Sequence, residues 1–223
     1  MRIAILGNGK MGKKIADLAT KGGHNIVAFS DSKNPAVNLD LSKTDVAIDF
    51  STPTAAFENI SHALNSGIPI ISGTTGWLDR MNEIETLCTT REGAFLYASN
   101  FSLGMNLFFE VNKKLASLMN NQDYVCKIQE VHHTEKLDTP SGTAKTLAKN
   151  IEEIQRNKIE ITADRVENIP GKHTVTYNST IDEIEIKHTA KNRDGFAKGA
   201  ILAADWIIGK KGVFSMNDVL GIQ

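Results

Sequence analysis

Short apolar runs alternate with amphipathic segments along the first hundred residues of the chain. The runs are rich in β-branched residues and predict strands over 2–6, 25–30, 46–50, 68–72 and 94–98. Between them, apolar residues three or four positions apart predict helices, and glycines mark several helix ends. Strands that alternate with helices indicate an α/β fold with a Rossmann-type doubly wound parallel sheet, whose ligands bind at the carboxyl ends of the strands.

The pattern changes after residue 102. A long amphipathic helix is predicted over 102–119, with an apolar stripe that we expect to pack in the core: Leu103, Leu107, Val111, Leu115 and Leu118. Further strands are predicted over 124–131, 159–162, 174–178 and 183–189, and the last alternates between apolar and charged positions. These segments predict a second α+β domain with a mixed sheet that helices cover on one side.

A glycine-rich turn joins the first predicted strand to the first helix. Gly7, Gly9 and Gly12 form the GxGxxG pattern, and Asp31 ends the second strand nineteen residues after Gly12. The first glycine permits the tight turn, the second lets the backbone approach a pyrophosphate, and the third lets helix and strand pack closely. The predicted cofactor contacts in this turn are Gly7, Asn8, Gly9, Lys10, Met11 and Gly12.

This order of strand, glycine turn, helix, strand and acid is typical of a dinucleotide-binding site. The choice between the nicotinamide dinucleotides NADH and NADPH stays open at this point. Asp31 could accept hydrogen bonds from a ribose 2′-hydroxyl, which favours NADH. Lys10 and Lys33 could instead offer positive charge to the 2′-phosphate of NADPH. We therefore expect NADH, NADPH or both.

Composition narrows the class of protein. The 223 residues carry a net charge of −1 with no basic tail or stripe, which argues against nucleic acid as a partner. Cys88 and Cys126 cannot form a disulfide framework, and no close Cys/His spacing predicts a metal site. The first residues enter a strand directly and no apolar run reaches membrane-spanning length. We expect a soluble cytoplasmic protein with a small-molecule substrate.

Chemistry-bearing residues concentrate between the strand at 124–131 and the next helix. His132 and His133 follow one another, Lys136 comes three residues later, and Pro140-Ser141 predicts a helix start with Ser141 as its cap. The backbone N–H groups of Gly142 and Thr143 would then be free to hold an anion. Taken singly, these residues are ordinary polar side chains. Adjacent strand residues also point to opposite faces, so the two histidines share one cleft only if the strand ends there.

The stretch Glu-Val-His-His-x-x-Lys-x-Asp-x-Pro-Ser-Gly-Thr-Ala, residues 130–144, resembles the substrate-site motif of the dihydrodipicolinate reductase family. The resemblance implies NAD(P)H-dependent reduction of 4-hydroxy-tetrahydrodipicolinate or dihydrodipicolinate to tetrahydrodipicolinate, in the diaminopimelate route to lysine. It implies that His132 and Lys136 are catalytic, with the proton donor unassigned between them. The implied substrate-binding residues are His133, Ser141, Gly142 and Thr143, whereas Asp138 is expected to shape the turn.

The resemblance extends to other segments. Residues Gly73, Thr74 and Thr75 resemble the family's nicotinamide-ribose loop, and Ala98, Ser99, Asn100 and Phe101 resemble its second cofactor segment. Residues 193–200 resemble the family's return into the nucleotide domain. This implies a discontinuous dinucleotide-binding domain over 1–102 and 194–223, and a substrate-binding and oligomerisation domain over 103–193. Relatives build a homotetramer on the open side of the second sheet.

Some readings stay open or are less specific. Residues 34–44 are shorter than in full-length relatives, so either the second crossover is trimmed to a loop or the sheet lacks a covering element. His173 and His188, each alone in a strand, are interpreted as structural or solvent-facing.

Two rival functions are another two-domain dehydrogenase, such as an amino-acid dehydrogenase, and a nucleotide-sensing regulator. The first does not explain the His-His-x-x-Lys motif. The second would need a surface for DNA or a partner, and the sequence has no visible basic module.

Overall fold

The computed structural model describes residues 1–136 and 138–222, which form two compact units. The first unit combines residues 1–102 with the segment that starts at Asp194, and the second unit is Leu103–Arg193. The described part of the first unit holds six parallel strands in the order β10-β5-β4-β3-β1-β2. They are β1 Arg2–Leu6, β2 Asn25–Ser30, β3 Val46–Asp49, β4 Ile70–Ser72, β5 Ala94–Tyr97 and β10 Gly212–Phe214.

Helices cover both faces of this sheet. They are α1 Lys10–Lys21, α2 Pro53–Asn65, α3 Met81–Thr90, α6 Asp194–Ile207 and α7 Met216–Leu220. Alternate residues of β1 go to the two sides, because successive strand side chains point in opposite directions. Ile3 and Ile5 pack with α1 and α6, whereas Ala4 and Leu6 pack with α2 and α3. The apolar run of β1 is therefore a strand buried on both faces.

The crossover between β2 and β3 is trimmed to a loop. Residues 34–44 contain one short 3-10 turn, Ala36–Asn38, and both Ala36 and Leu41 are buried against α2. The imidazole Nε2 of His62 in α2 lies 3.1 Å from the Leu39 carbonyl oxygen. The loop thus serves as the cover that a helix would otherwise provide. In the classic Rossmann order a further strand lies beyond β2, whereas here β2 is the edge of the sheet.

The second unit is built on a mixed sheet. Its described strands are β6 Val125–His132, β7 Glu160–Arg165, β8 Gly171–Asn178 and β9 Glu183–Ala190, in the order β7-β6-β8-β9. The β6–β7 pair is parallel, and the other two pairs are antiparallel. Two helices, α4 Leu103–Met119 and α5 Gly142–Gln155, pack with one face of the sheet. The predicted fold class, a doubly wound parallel sheet with a second mixed-sheet α+β domain, is confirmed.

The predicted core stripe of α4 is wrong. Leu103, Leu107, Val111 and Leu118 are 45%, 47%, 51% and 61% exposed. The buried positions are instead Met105, Asn106, Phe108, Asn112, Ala116 and Met119. Of the predicted stripe, Leu115 alone packs partly against the core. The helix has apolar residues on two sides, so helical spacing alone could not decide which stripe the sheet would cover.

Within the described residues, no helix has both the length and the apolar character that crossing a membrane requires.

Candidate active site

The glycine turn of the first unit has the geometry that its sequence predicts. Gly7 has φ +118°, and a Cβ atom there would lie 2.2 Å from the Phe50 carbonyl oxygen. A Cβ at Gly12 would lie 1.9 Å from the Gly7 carbonyl oxygen, so α1 can approach β1 only with glycine at this position. At Gly9, by contrast, a Cβ would meet nothing within 4 Å. The turn therefore leaves open space beside the backbone of Gly9.

The start of α1 faces that space. Gly9 is the N-cap residue, has extended backbone geometry and offers no side-chain cap, so the first N–H groups of α1 lack a side-chain partner of that kind. Asn8 and Lys10 are exposed, whereas Met11 packs partly against the core. An uncapped helix start next to open space fits a phosphate group. Met11 would contribute through its backbone rather than its side chain.

Asp31 lies at the end of β2 beside the glycine turn. Its Oδ1 accepts hydrogen bonds from the backbone N–H groups of Lys33 and Asn34, at 2.8 and 2.9 Å. These bonds lower the pKa of the Asp31 carboxyl, and the Asn8 side chain adds to the effect. Asp31 is therefore an ionised, exposed acceptor next to the turn.

A buried carboxylate anchors the loop after β4. Asp49 is fully buried, and its Oδ2 accepts hydrogen bonds from Ser72 Oγ at 2.8 Å and Thr74 Oγ1 at 2.7 Å. Burial raises the pKa of the Asp49 carboxyl, while the hydroxyl and amide donors around it oppose that rise. The Thr74 hydroxyl is thus committed to Asp49, whereas Thr75 is exposed. Sequence reasoning did not identify Asp49, although an acid at the end of a buried strand was a visible signal.

The segment after β5 divides between core and surface. Phe101 is 1% exposed and its ring packs 5.6 Å from that of Phe50, so its side chain belongs to the core. Ser99 is exposed, and Asn100 Oδ1 accepts a hydrogen bond from the Ser102 N–H at 2.9 Å. Because neighbouring parallel strands end at one edge of a sheet, this segment lies on the same edge as Gly73 and the glycine turn.

In the second unit, polar residues replace apolar ones toward one end of the helix-covered face of the sheet. Cys126 and Ile128 of β6 contribute to the core, and the next positions on that face are Glu130 and His132. On β8, His173 pairs directly with Glu130. All three polar side chains are buried, at 0%, 7% and 4% exposure. Sequence reasoning assigned no role to Glu130 and missed the position of His173.

Glu130 is the centre of this cluster. Its carboxylate accepts hydrogen bonds from the Ser141 backbone N–H, at 3.0 and 3.1 Å, and from the Arg165 guanidinium at 3.3 Å. Oε2 also lies 3.5 Å from His132 Nδ1 and 3.7 Å from His173 Nε2. Glu130, His132 and His173 each offer one possible metal-ligand atom. These three atoms lie within 4.8 Å of one another, a spacing that would suit a metal ion. The guanidinium already balances the carboxylate charge, which makes two neutral imidazoles the simpler arrangement.

Burial keeps these imidazoles neutral. Desolvation lowers the pKa of His132, and Lys136 and Arg165 add to this, while Glu130 opposes it. Desolvation, together with the neighbouring His132, lowers the pKa of His173 to about 4. The two rings lie 5.0 Å apart in an edge-to-face arrangement. In the described part of the chain, Nδ1 of each ring is buried and has no hydrogen-bond partner.

A carboxylate of the protein itself lies at the start of α5, where the sequence predicts that a substrate carboxylate binds. Ser141 is the N-cap, and its Oγ accepts a hydrogen bond from the Ala144 N–H. The Asp138 carboxylate accepts hydrogen bonds from Lys136 Nζ at 2.6 Å and from the Gly142 N–H at 3.3 Å. The ammonium group and the helix start therefore converge on one carboxylate. Thr143 lies beside them, partly buried in the first turn of α5.

His133 faces a different surface. It lines a cavity of about 380 Å³, and the other polar residues around that cavity are Thr134, Glu135, Glu167, Asn168, Asn192 and Arg193. Arg193 brings a guanidinium to the same cavity as the imidazole. Sequence reasoning used Arg193 only as the start of the return segment. His188 stands apart from this cavity, with its ring 6.0 Å from that of Phe108.

A parallel nucleotide-binding sheet with a glycine turn, joined to a unit that gathers imidazoles, an ammonium group and a helix start, defines a pyridine-nucleotide oxidoreductase of the two-domain Rossmann class. The chain belongs to the dihydrodipicolinate reductase family. Residues 1–101 match the family model described as "Dihydrodipicolinate reductase, N-terminus", and residues 104–220 match "Dihydrodipicolinate reductase, C-terminus".

Named relatives agree with this assignment. The chain is 49% identical to the 4-hydroxy-tetrahydrodipicolinate reductase of Christiangramia forsetii, with 99% of this chain and 98% of the relative covered. It is 36% identical to the enzyme of that name from Thermosipho africanus, with the same coverage of 99% and 98%. The fold is similar to that of a dipicolinate-bound dihydrodipicolinate reductase from Paenisporosarcina sp. TG-14. The TM-score is 0.78 at 23% identity, with 96% of this chain and 97% of that chain covered.

Proposed function

We propose that this protein reduces 4-hydroxy-tetrahydrodipicolinate, or the dihydrodipicolinate formed from it by loss of water, to tetrahydrodipicolinate at the expense of NADH or NADPH. The observation that carries the proposal is the convergence of Lys136 Nζ and the Gly142 N–H on one carboxylate beside a buried imidazole cluster. This arrangement suits a small anionic substrate that must also receive a proton. The 49% identity to a named reductase, over nearly the whole of both chains, supports the same reaction.

Substrate binding begins with the exchange of one carboxylate for another. The Asp138 carboxylate occupies the positions that a substrate carboxylate would take, between the Lys136 ammonium and the start of α5. The substrate would displace Asp138 and accept hydrogen bonds from the Gly142 and Thr143 N–H groups and the Thr143 hydroxyl. Ser141 is buried and acts by fixing the helix start.

The second carboxylate of the substrate has a separate partner. His133 and Arg193 line one cavity, and a guanidinium can grip a carboxylate through two parallel hydrogen bonds. We therefore assign the second carboxylate to Arg193, with His133 beside it.

We assign to Lys136 the proton that the substrate ring takes up as the hydride arrives. Its ammonium group is ion-paired with Asp138, so it carries a proton to give. Because desolvation lowers the pKa of His132, the imidazole is neutral at pH 7 and is a poor acid there. After turnover, a neutral His132 can instead take up a proton from solvent and pass it to the Lys136 amine, which restores the ammonium group. His132 thus serves as the acid/base partner of the donor.

The cofactor would be held by the first unit. The open space at Gly9, the uncapped start of α1 and the ionised Asp31 fit a pyrophosphate and a ribose, in that order along the chain. The bound nicotinamide supplies a hydride for ring C4 of the substrate. Asp31 favours NADH, whereas Lys10 and Lys33 favour NADPH, so we propose that both cofactors serve. Backbone groups of Gly73, Thr75 and residues 98–101, on the same edge of the sheet, would line the nicotinamide ribose.

The units also have proposed roles in assembly. Residues 1–102 and 194–223 would be the dinucleotide-binding domain, and residues 103–193 would bind substrate and build a homotetramer through the open face of the second sheet. A stable monomer in light scattering at working concentration would contradict the tetramer. The buried free thiols Cys88 and Cys126 support a reducing, cytoplasmic compartment.

The function is tested by following NAD(P)H oxidation at 340 nm, dependent on the freshly made condensation product of pyruvate and aspartate semialdehyde. His132→Gln and Lys136→Ala should each lower kcat by roughly a hundredfold or more, the scale of a lost acid/base group. Both variants should bind NADH as the parent does. Lys145→Ala, which removes an exposed ammonium group from the next turn of α5, is the control. Oxidation that is independent of the condensation product, or full turnover in both variants, would refute the proposal.

A further inference from the structure

The guanidinium of Arg165 holds the segment that carries the proposed proton donor. Arg165 is the last residue of β7, and its side chain is 19% exposed. Its Nη2 donates to the Asp138 carbonyl oxygen at 2.6 Å and to Thr139 Oγ1 at 2.7 Å, and its Nε donates to the Lys136 carbonyl oxygen at 3.3 Å. One side chain therefore reaches three described residues of the 136–141 segment.

The same guanidinium is tied to the buried carboxylate. Nη1 and Nη2 of Arg165 each lie 3.3 Å from Glu130 Oε1. Glu130 in turn accepts the N–H of Ser141, the cap of α5. The pair thus connects the end of β6 with both the middle of the segment and the helix start. Neither residue is among those to which the sequence assigned a role.

We propose that Arg165, braced by Glu130, is a positioning residue for the reaction: it holds Lys136, Asp138 and Thr139 in place so that the Lys136 ammonium and the Gly142 N–H converge on the substrate carboxylate. The inference rests on the proposed function, because it assigns a purpose to the placement of Lys136. Arg165 acts through the segment and does not touch the substrate.

The chemistry of arginine suits this task in a way that lysine does not. A guanidinium is planar and carries five N–H donors in a fixed fork, so it can bind two carbonyl oxygens, a hydroxyl and a carboxylate at once. A lysine at position 165 would keep the charge opposite Glu130 but offers a single nitrogen on a flexible stem. It could not hold residues 136, 138 and 139 together. Arg165→Lys therefore separates positioning from charge balance.

A role confined to stability is distinguished by a double-mutant cycle. If Arg165 acts through Lys136, the effect of Arg165→Lys on kcat/KM should largely vanish when Lys136 is already alanine. If Arg165 only stabilises the fold, the two effects should multiply. The NADH dissociation constant, measured by fluorescence, reports on the other unit and should not change in any of these variants.

The experiment compares kcat, KM and NADH affinity for Arg165→Lys, Lys136→Ala and the double variant, well below their melting temperatures. Arg156→Lys makes the same substitution at an exposed residue at the end of α5 and serves as the control. We expect Arg165→Lys to lower kcat/KM by roughly ten- to a hundredfold, the scale of a small misplacement of a reacting group. In the Lys136→Ala background the further loss should be less than about threefold.

Each outcome bears on a different claim. Unchanged kcat/KM in Arg165→Lys, or an undiminished effect in the Lys136→Ala background, overturns the positioning role. Full activity of Lys136→Ala overturns the proposed function instead. If Arg165→Lys does not fold, Thr139→Val removes one acceptor of the guanidinium and keeps the β-branched shape. That variant should lose activity a few-fold with Lys136 present and not without it, and the absence of this difference also overturns the positioning role.

Discussion

At the scale of single residues, the proposed function makes Asp138 a competitor of the substrate as well as the ion-pair partner of Lys136. The Lys136 ammonium lowers the pKa of the Asp138 carboxyl, so Asp138 is charged at neutral pH and holds the groups that we assign to the substrate. We predict that Asp138→Asn, which keeps the shape and removes the charge, lowers KM for the substrate by up to about fivefold. The limit follows because an ion pair with a 52% exposed partner is worth at most about 1 kcal/mol.

Steady-state kinetics would check this prediction. Asp123→Asn removes another exposed carboxylate of the second unit and should leave KM unchanged. An increase of KM in Asp138→Asn would mean that Asp138 orients Lys136 for the substrate and does not compete with it.

Residue patterns singled out the candidate reactive groups but not the buried groups around them. The motif around Lys136 was recognisable because its residue types and spacing are rarely found together. Glu130 and His173 were missed. Each lies two positions from a buried apolar residue of its strand, Ile128 or Val175, and therefore on the same buried face. A polar residue in a buried phase requires partners, and that signal was available from alternation alone. No sequence pattern singled out Arg165. Its partners are Glu130 on a neighbouring strand and loop residues 26 to 29 positions away, and only the folded structure brings them together.

At the scale of elements, the glycine turn separates folding from cofactor binding. A Cβ at Gly9 meets nothing within 4 Å, so Gly9→Ala should fold with little change in melting temperature. Its methyl group would, however, enter the space that the pyrophosphate needs. We predict roughly tenfold or greater loss of NADH and NADPH affinity, because close backbone approach requires glycine at this position. Fluorescence titration and thermal melting would measure the two effects.

Gly12→Ala is the matched comparison. Its Cβ would lie 1.9 Å from the Gly7 carbonyl oxygen, so α1 must move away from β1 and both stability and cofactor affinity should fall. Unchanged cofactor affinity in Gly9→Ala would remove the turn from the cofactor site.

Elements were predictable where an apolar run has clear ends in the sequence. β1 and β2 have the predicted bounds, because their apolar runs end at glycine or at a charged residue. The α4 helix was predicted, but its buried side was not. Leu107 and Phe108 both belong to plausible stripes, and only the position of the sheet decides between them. The trimmed crossover at 34–44 was likewise undecided, since a loop covers the sheet through two residues, Ala36 and Leu41.

At the scale of the whole molecule, each unit has its own core, and a cluster of ionisable groups lies at the end of the second core. The proposed cofactor site of the first unit consists of backbone N–H groups and the exposed Asp31, whereas the candidate site of the second unit contains buried imidazoles beside the Glu130–Arg165 ion pair. Under the proposed function, cofactor affinity and proton transfer would therefore depend on different cores. Variants of one unit should leave the property of the other intact, which is the basis of the paired measurements above.

The buried cluster makes stability depend on pH. The pKa of His173 is about 4 in the folded protein and 6.5 in a solvated histidine, so the unfolded chain binds the proton more tightly. The free energy of unfolding should therefore decrease as the pH falls from about 6.5 to 4, and the change should level off below that range. Protonation of His173 can lower the free energy of unfolding by at most roughly 3 kcal/mol, and protonation of His132 adds a change of the same sign. Calorimetric melting between pH 7.5 and 3.5 would measure the slope.

His173→Asn cannot take up the proton and should flatten the slope between pH 6.5 and 4, even if it lowers the melting temperature at pH 7. A parallel slope in the parent and the variant would show that His173 is not buried as a neutral imidazole.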